Sequence, residues 1–413
     1  MTACGGAARS SLDDEARRYV RLAVALGERD PDSLDFYAGP ADLVADERRN
    51  PPPLSAIARE AEAVSARVSR RTSPDAAGAA RARALVADLA AISARVGLLT
   101  GTKRSYDDES VAFFGVAPPP GGERGLTGIR ARIDAMIGGN GRLVDRYAAF
   151  AARFTIPAER LPAVISAAVD ECRRQTAAHL ALPPGERVTI EWVRNKPWSA
   201  FSRYLGGARS VIQINTDFRF TVDQALQVSC HEGYPGHHAR NTLLTARPES
   251  GGWPERDVQL TFSPEALASE AAAMLAIDVA FPPAERVRVE RDRLFPLADL
   301  RGDAELHVAV ERLVGELQAV QADVARRYLD GALEFARAVT VLEDQALVPH
   351  AEALVKYINE YRSYVTTYTA GKVAFAEKLR ACVDTATAAD VRWRCFQQQG
   401  ATRESAFHNA VAQ

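Results

Sequence analysis

Three of the chain's seven histidines, His231, His237 and His238, fall within eight positions, and Glu232 directly follows the first. Ionisable groups packed this densely beside apolar sequence cost free energy unless a partner compensates them. A divalent metal is the obvious partner, since zinc peptidases carry a pair of histidines on one helix with a glutamate after the first. The stretch therefore predicts a site for one Zn²⁺ ion, with Glu232 as the general base.

The spacing of the histidines leaves two geometries open. Each residue of a regular helix turns by ~100°, so His238 would lie only ~20° from the face of His231 and His237 ~240° away. Residues 235–236 (Pro-Gly) disfavour a regular helix, and a break there would bring His237 into register with His231. We favour His231 and His237 as ligands, with His238 as a supporting or substrate-contacting residue. The pair His231 and His238 is the alternative.

A third ligand must come from elsewhere, because catalytic zinc sites use three protein ligands and keep one position open. Residues 263–274 predict a helix that packs against the first one. Small residues around Glu270 would let the two backbones approach, so Glu270 is the predicted third ligand. Glu265 lies in the first turn, where the helix dipole favours a carboxylate for structural reasons alone. Asp278, two turns beyond Glu270, is the fallback.

The elements that position these residues are mostly helices. Apolar residues recur at three-to-four spacing among Ala, Arg and Glu, which is typical of amphipathic helices. We predict helices at 13–26, 54–69, 74–100, 126–137, 141–154, 157–182, 264–281, 284–297, 303–329, 331–339, 346–378 and from 388 to the end, with another beginning after Ser105.

The residue pattern changes from helical to strand-like across residues 187–220. Segments 188–193 and 210–215 are short and β-branched, and they predict a small antiparallel sheet. Thr221 or Asp223 caps the following helix. The predicted fold is therefore mainly α, a large helical protein with a small antiparallel β insert next to the metal-binding helix. Its regions are 1–185 (helical), 186–220 (β insert) and 221–413 (helical, metal-binding and catalytic), which can all belong to one compact domain.

Charge and composition exclude several classes of partner. A formal net charge of -2 gives no basis for binding nucleic acid or an anionic membrane. No apolar run approaches the ~20 residues of a transmembrane helix, and residues 1–6 lack the features of a signal peptide. Because the five cysteines are scattered and odd in number, we expect free thiols in a reducing cytoplasm.

Three segments together resemble a known bacterial family. They are residues 195–204 (NKPWSAFSRY), 214–217 (INTD) and 231–238 (HEGYPGHH). The family is the domain of unknown function numbered 885, whose members are regarded as gluzincin-like zinc metallopeptidases of the HExxPGHH type. The similarity is strong across roughly 190–275 and extends to 350–375. It implies a helical metallopeptidase with a glutamate ligand on a following helix.

Three other features bear on the resemblance. The family's glutamate ligand usually stands in an EGWA-like context, whereas Glu270 is followed by three alanines. Residues 364–372 are similar to the family's late Tyr-x-x-Gly element, which implies that Tyr368 donates a hydrogen bond to the oxyanion. The family's Asp-Thr-Gly-Leu-His element has no match, and His307, near the corresponding place, is expected to be an ordinary helix residue.

The strand at 210–217 suggests how substrate binds. An edge strand beside the metal can pair with an extended peptide, and Tyr204, Asn215 and Asp217 are the candidate substrate contacts. The predicted function is zinc-dependent hydrolysis of a peptide or small amide. Two alternatives are the same site acting on a non-peptide amide or ester in specialised metabolism, and a non-catalytic helical metal-binding protein.

Overall fold

A computed structural model of the protein describes residues 11–72, 75–118, 126–246, 253–383 and 389–400. The predicted class, mainly α with a small β insert, is confirmed. The α-helices are α1 (Leu12–Arg29), α2 (Ala45–Arg49), α3 (Leu54–Ser69), α4 (Ala76–Leu99), α5 (Tyr106–Phe114), α6 (Leu126–Ile137), α7 (Leu143–Ala152), α8 (Leu161–His179), α9 (Val222–Glu232), α10 (His237–Thr245), α11 (Pro264–Ala280), α12 (Pro283–Val289), α13 (Phe295–Ala298), α14 (Ala304–Glu316), α15 (Ala319–Leu329), α16 (Phe335–Ala346), α17 (Glu352–Tyr361), α18 (Lys372–Val383) and α19 (Ala389–Gly400).

One predicted long helix, 346–378, is broken in the structure. Helix α16 ends at Ala346, and the next residue, Leu347, caps it in a left-handed conformation. Arg362 has a positive φ of 51° and ends α17. A 3₁₀ turn and a π-helical turn follow before α18. Neither of these left-handed positions is a glycine, so the composition contains no signal for the breaks.

The β insert is a mixed sheet, and the prediction of an antiparallel one is wrong for one of its strands. The strands are β1 (Leu34–Tyr37), β2 (Arg187–Val193), β3 (Ala200–Gly206), β4 (Arg209–Asn215) and β5 (Val258–Leu260). Strand β4 lies in the middle, antiparallel to β3 and parallel to β2. Because β4 has a partner on both sides, it is not the edge strand that the sequence suggested for peptide binding.

A second small sheet joins the N-terminal region to the segment before α11. Strand β1 pairs antiparallel with β5, and a bulge interrupts their register between Leu34 and Phe36. Phe36 also packs edge-on against Tyr204 of β3, with ring centroids 5.4 Å apart. Neither strand was predicted, because β1 lies in a stretch rich in Pro, Asp and Gly and β5 has only three residues. This pairing places the N-terminal region beside β3.

Helix α11 is the central element of the largest core. Apart from its first residue, Pro264, and the exposed Asp278, every residue of this helix is buried. A helix that is apolar on all sides is expected in the interior of a protein. Helices α8, α9, α10, α18 and α19 pack around it. Glu270 therefore lies in the interior of the molecule and requires a compensating partner.

The cysteines contradict the prediction of free thiols. Cys172 of α8 and Cys230 of α9 form a disulfide, with Cα atoms 5.4 Å apart. Cys382 and Cys395 form a second one. Cys4 lies outside the described residues. Disulfides are typical of oxidising compartments, so the argument from cysteine use for a reducing cytoplasm no longer holds.

In the part of the chain that the structure describes, no single helix has the length and apolarity needed to cross a membrane. Residues 264–298 meet the criterion of length and composition only as a helix pair, Pro264–Ala280 with Pro283–Ala298, bent by 77°. The first helix of the pair is α11.

Candidate metal centre

The histidine motif begins on a firmly capped helix. The Thr221 side chain accepts from the Gln224 backbone N–H, and the Gln224 side chain accepts from the Thr221 N–H. This capping box satisfies two donors at the start of α9. A disulfide from Cys230 to α8 fixes its other end. His231 and Glu232 are thus the last two residues of a helix held at both ends.

The chain then turns sharply, as the Pro-Gly pair suggested. Helix α9 ends at Glu232 and α10 begins at His237. Gly236 donates its N–H to the Cys230 carbonyl at 3.0 Å. A Cβ atom at Gly236 would lie 1.9 Å from the His231 carbonyl oxygen, a distance that no side chain tolerates. The glycine is required because the backbone doubles back against the end of α9.

This turn brings three donor groups together. His231 Nε2 lies 3.2 Å from His237 Nε2. Glu270 contributes Oε2 at 3.3 Å from His231 and Oε1 at 3.3 Å from His237. The three ligand atoms lie within 4.8 Å of one another. Of the two geometries left open by the sequence, the structure has the one in which His237 faces His231 and Glu270.

His238 points away from this cluster. Its Nε2 lies 3.0 Å from Glu186 Oε2 and its Nδ1 lies 2.7 Å from Ser210 Oγ. Tyr234 also donates to Glu186, and all four side chains are buried. His238 therefore ties the start of α10 to the β insert. This placement agrees with His238 as a residue that supports the site, and not with the alternative in which His238 and His231 are the paired ligands.

Glu232 lies beside the cluster, with Oε1 4.0 Å from His231 Nε2. The Ser202 backbone N–H, on β3, hydrogen-bonds to its carboxylate. Burial raises the pKa of Glu232, and the charges of His231 and His237 offset only part of this effect. A carboxylate with a raised pKa, next to a metal-ligand set, suits proton transfer.

The electrostatics of the donor set are strongly coupled. Burial alone would lower the pKa of His237, but the Glu270 and Glu232 carboxylates outweigh it and raise that pKa to about 9. Burial opposes ionisation of Glu270, yet His237 and His231 hold its pKa well below the usual range. Positive charge is therefore favoured between these side chains, as a cation site requires.

Two side chains support the donor set from the outside. Tyr364 donates its hydroxyl to Glu270 Oε1 at 2.9 Å, and His237 Nδ1 lies 3.0 Å from Ser269 Oγ. Such contacts orient metal ligands. The two other acids weighed from the sequence lie elsewhere: Glu265 pairs with Arg240 at 2.6 Å, and Asp278 is exposed.

Tyr368 lies in the same cavity as the donor set. Its hydroxyl is 3.0 Å from that of Tyr357, and its ring packs edge-on against Tyr364 at 5.6 Å. Four tyrosines from α17 and the turns after it line one wall of the cavity: Tyr357, Tyr361, Tyr364 and Tyr368. The structure thus places the predicted tyrosine near the site, with Tyr364 in direct contact with Glu270.

The predicted substrate contacts have other partners. Tyr204 is buried and its hydroxyl lies 2.7 Å from Thr245 Oγ1. Asn215 Nδ2 donates to the carbonyls of Lys196 and Trp198, and Asp217 Oδ2 accepts from the Asn195 N–H. Asn215 and Asp217 are anchors for the loop 194–199 between β2 and β3.

The loop at 194–199 forms part of the cavity that contains the candidate ligands. Lys196 and Trp198 line the cavity of about 340 Å³ that contains His231, Glu232, His237 and Glu270. Neither Tyr204 nor Asn215 nor Asp217 is among its lining residues in the described chain. The assignment of these three as substrate contacts is therefore corrected: two of them position the loop whose side chains reach the cavity.

Asp35 is a residue that the sequence did not single out. It lies on β1, lines the same cavity, and its Oδ2 accepts from Gln259 Nε2 at 2.6 Å. Burial raises the pKa of Asp35 to about 7, with Glu270 and Glu232 adding to the effect and His237 opposing it. No local pattern could have pointed to Asp35, because almost 200 residues separate it from the histidine motif.

Two of the solved structures that are similar to this chain are described as putative lipoproteins. No family model and no curated protein matches this sequence. A solved structure described as "the putative lipoprotein" from Colwellia psychrerythraea is 15% identical, with a TM-score of 0.46, over 95% of this chain and 76% of that one. Another, "a putative lipoprotein of unknown function" from Shewanella oneidensis, is 11% identical, with a TM-score of 0.42, over 93% of this chain and 82% of that one. Similarity this low carries no inference about activity.

Proposed function

We propose that this protein is a zinc-dependent hydrolase of peptide or amide bonds. The observation that carries the proposal is the convergence of His231 Nε2, His237 Nε2 and a Glu270 carboxylate oxygen within 4.8 Å, with Glu232 beside them. His237 follows His231 by 6 positions and Glu270 follows it by 39. The three ligand candidates nevertheless come from three different helices, α9, α10 and α11. The resemblance to HExxPGHH metallopeptidases agrees with this assignment.

The donor set fits zinc on its own chemistry. Two imidazole nitrogens and one carboxylate are a usual ligand set of catalytic zinc sites. Glu270 Oε2 is buried and has no hydrogen-bond donor among the described residues, so a cation would supply its missing partner. Donation from His237 Nδ1 to Ser269 Oγ would leave the Nε2 lone pair directed at the ion. A bound zinc would polarise the scissile carbonyl and acidify water.

The remaining steps belong to the protein's own groups. Glu232 accepts a proton from the attacking water and passes it to the leaving amine. The Ser202 N–H holds the Glu232 carboxylate in place during both transfers. Tyr368 is the proposed hydrogen-bond donor to the developing oxyanion, since it lines the cavity, where its hydroxyl lies 3.0 Å from that of Tyr357.

The cavity volume favours a small substrate. About 340 Å³ is at the low end of the roughly 300–1,000 Å³ of small-molecule pockets. Short peptides or small amides fit such a space, and this includes the non-peptide amides considered from the sequence.

The test is the variant Glu232→Gln, with Glu62→Gln on the exposed face of α3 as the matched control. Metal content is measured on zinc-replete protein, and turnover on a library of short peptides and aminoacyl anilides. We expect about one zinc per chain in all three proteins and a loss of turnover of roughly 10²–10⁴-fold in Glu232→Gln alone. Wild-type protein without stoichiometric metal would refute the zinc site, and turnover surviving in Glu232→Gln would refute the general base.

A further inference from the structure

One acidic group in the cavity has no part in the hydrolysis itself. Asp35 is the extra residue of the bulge in β1, because Leu34 and Phe36 pair with consecutive residues of β5. Bulges often lie next to active sites, where they redirect a side chain. Phe36 is buried against Tyr204, whereas Asp35 lines the cavity of the candidate metal centre.

The Asp35 carboxylate is held at one oxygen only. Gln259 Nε2 donates to Oδ2 at 2.6 Å. Within the described parts of the chain, no other side chain hydrogen-bonds to this carboxylate, and no Arg, Lys or His forms an ion pair with it. Gln259 therefore orients the group, and Oδ1 is available to a ligand.

The charges around the cavity call for a cationic ligand group. Four carboxylates and one lysine are among the described lining residues: Asp32, Asp35, Glu232, Glu270 and Lys196. When all four carboxylates are ionised, one bound dication together with the lysine leaves an excess of about one negative charge. A carboxylate in an enclosed site is costly unless a positive group compensates it.

Aromatic side chains also line the cavity. Tyr357 and Tyr361 stack with ring centroids 4.6 Å apart, and Trp198 and Phe201 face the cavity from the β insert. Aromatic rings accept an apolar side chain and also attract an ammonium group through their faces. A small ligand with an apolar side chain and an adjacent amine matches this combination of aromatic and acidic lining residues.

We propose that Asp35 binds the free α-amino group of the substrate, so that the enzyme releases single residues from the amino ends of short peptides or aminoacyl amides. This inference rests on the proposed hydrolase function. Water supplies a hydroxyl to the acyl carbon and a proton to the leaving amine as the amide bond breaks, so no other reactant is needed. Asp35 is a specificity-determining residue in this scheme.

The first test measures binding without turnover. Zinc-loaded wild-type protein is titrated with phenylalanine hydroxamate and with its N-acetyl derivative. We expect at least ~10-fold tighter binding of the free amine, as for a hydrogen bond between charged groups. Asp35→Asn should reduce this preference to about twofold, whereas Asp32→Asn, which removes a charge from the same cavity, should retain it.

The second test measures hydrolysis of phenylalanine p-nitroanilide and N-acetylphenylalanine p-nitroanilide. We expect Asp35→Asn to lower kcat/KM at least ~10-fold for the free amine, mainly through KM, and less than ~3-fold for the acetylated substrate. Equal binding of the two hydroxamates by the wild type would overturn the assignment, as would an undiminished preference in Asp35→Asn. Loss of zinc from Asp35→Asn would also overturn it, because Asp35 would then support the ligands. If neither anilide is cleaved by zinc-loaded protein, the hydrolase function fails, while hydroxamate preference still decides the role of Asp35.

Discussion

Neighbouring residues of the motif face opposite sides of helix α10. His237 turns toward His231 and Glu270, and His238 turns toward Glu186 and Ser210. Both are buried, so both need polar partners. The first set leaves room for a cation between its members, and the second is closed by hydrogen bonds. The two histidines should therefore respond differently to removal.

Replacing each histidine with alanine separates these roles. His237→Ala should lower zinc affinity at least ~100-fold, because a ligand is lost. His238→Ala should keep about one zinc per chain but lower the free energy of unfolding by roughly 2–4 kcal/mol, because Glu186 and Ser210 lose a buried partner. Zinc content after dialysis and thermal unfolding of each variant measure both effects. Zinc loss in His238→Ala with retention in His237→Ala would reverse the assignment.

At the scale of elements, the candidate site depends on how α9 is held. Its start is capped by Thr221, and its end is joined to α8 through Cys230, the residue before His231. Helix α11 packs against it and supplies Glu270. The donor set is thus only as well ordered as the packing of these three helices.

Removing the Cys172–Cys230 disulfide should weaken this arrangement. The double variant Cys172→Ala/Cys230→Ala should lose about 2–4 kcal/mol of unfolding free energy, because the bond closes a loop with a sequence separation of 58. Urea unfolding under oxidising conditions measures the loss. Reduction of the wild type should lower its midpoint toward that of the variant. A midpoint unchanged by both treatments would show that the bond does not contribute to stability.

At the scale of the whole molecule, a second buried polar network joins α7, α9, α12 and α14 away from the cavity. Arg286 Nε donates to Asp223 Oδ1 at 2.7 Å, and His307 Nδ1 lies 2.8 Å from Glu290. Tyr147 donates to Glu311 at 3.1 Å. Burial lowers the pKa of His307 to about 4, consistent with the structural role expected for it.

This network should make stability depend on pH. Burial raises the pKa of Glu311 to about 8, with Asp223 adding to the effect, whereas the unfolded chain has an ordinary value near 4.5. Between these values the folded state binds more protons than the unfolded state, so stability falls as pH rises from about 4.5 to 8. Glu311→Gln should therefore raise the melting temperature relative to the wild type at pH 8 and much less at pH 5.

The exposed Glu305→Gln on the same helix is the control for that comparison. It should follow the wild type at both pH values. The difference between Glu311→Gln and wild type isolates this group from the titration of the metal centre, which both proteins share. A pH-independent difference would mean that Glu311 is ionised in the folded protein.

The sequence alone determined the local chemistry of this protein. Several features can be predicted because each depends on neighbours along the chain. They are the histidines and Glu232, the break at residues 235–236, and the helix that carries Glu270. The helical class is readable for the same reason, since amphipathic spacing repeats within each helix. Strand β4 was identified as a strand but not as the middle one, because pairing order is not a local property.

Only the tertiary structure decided which residues meet. His237 rather than His238 faces Glu270 because the chain doubles back at Gly236. The geometry of a regular helix does not predict that turn. Asp35 reaches the cavity through a bulge in a strand that pairs with β5, more than 200 residues away. The Cys172–Cys230 disulfide likewise joins residues with a sequence separation of 58. Such contacts form only when the whole core is buried, so they cannot be predicted from any single segment of the sequence.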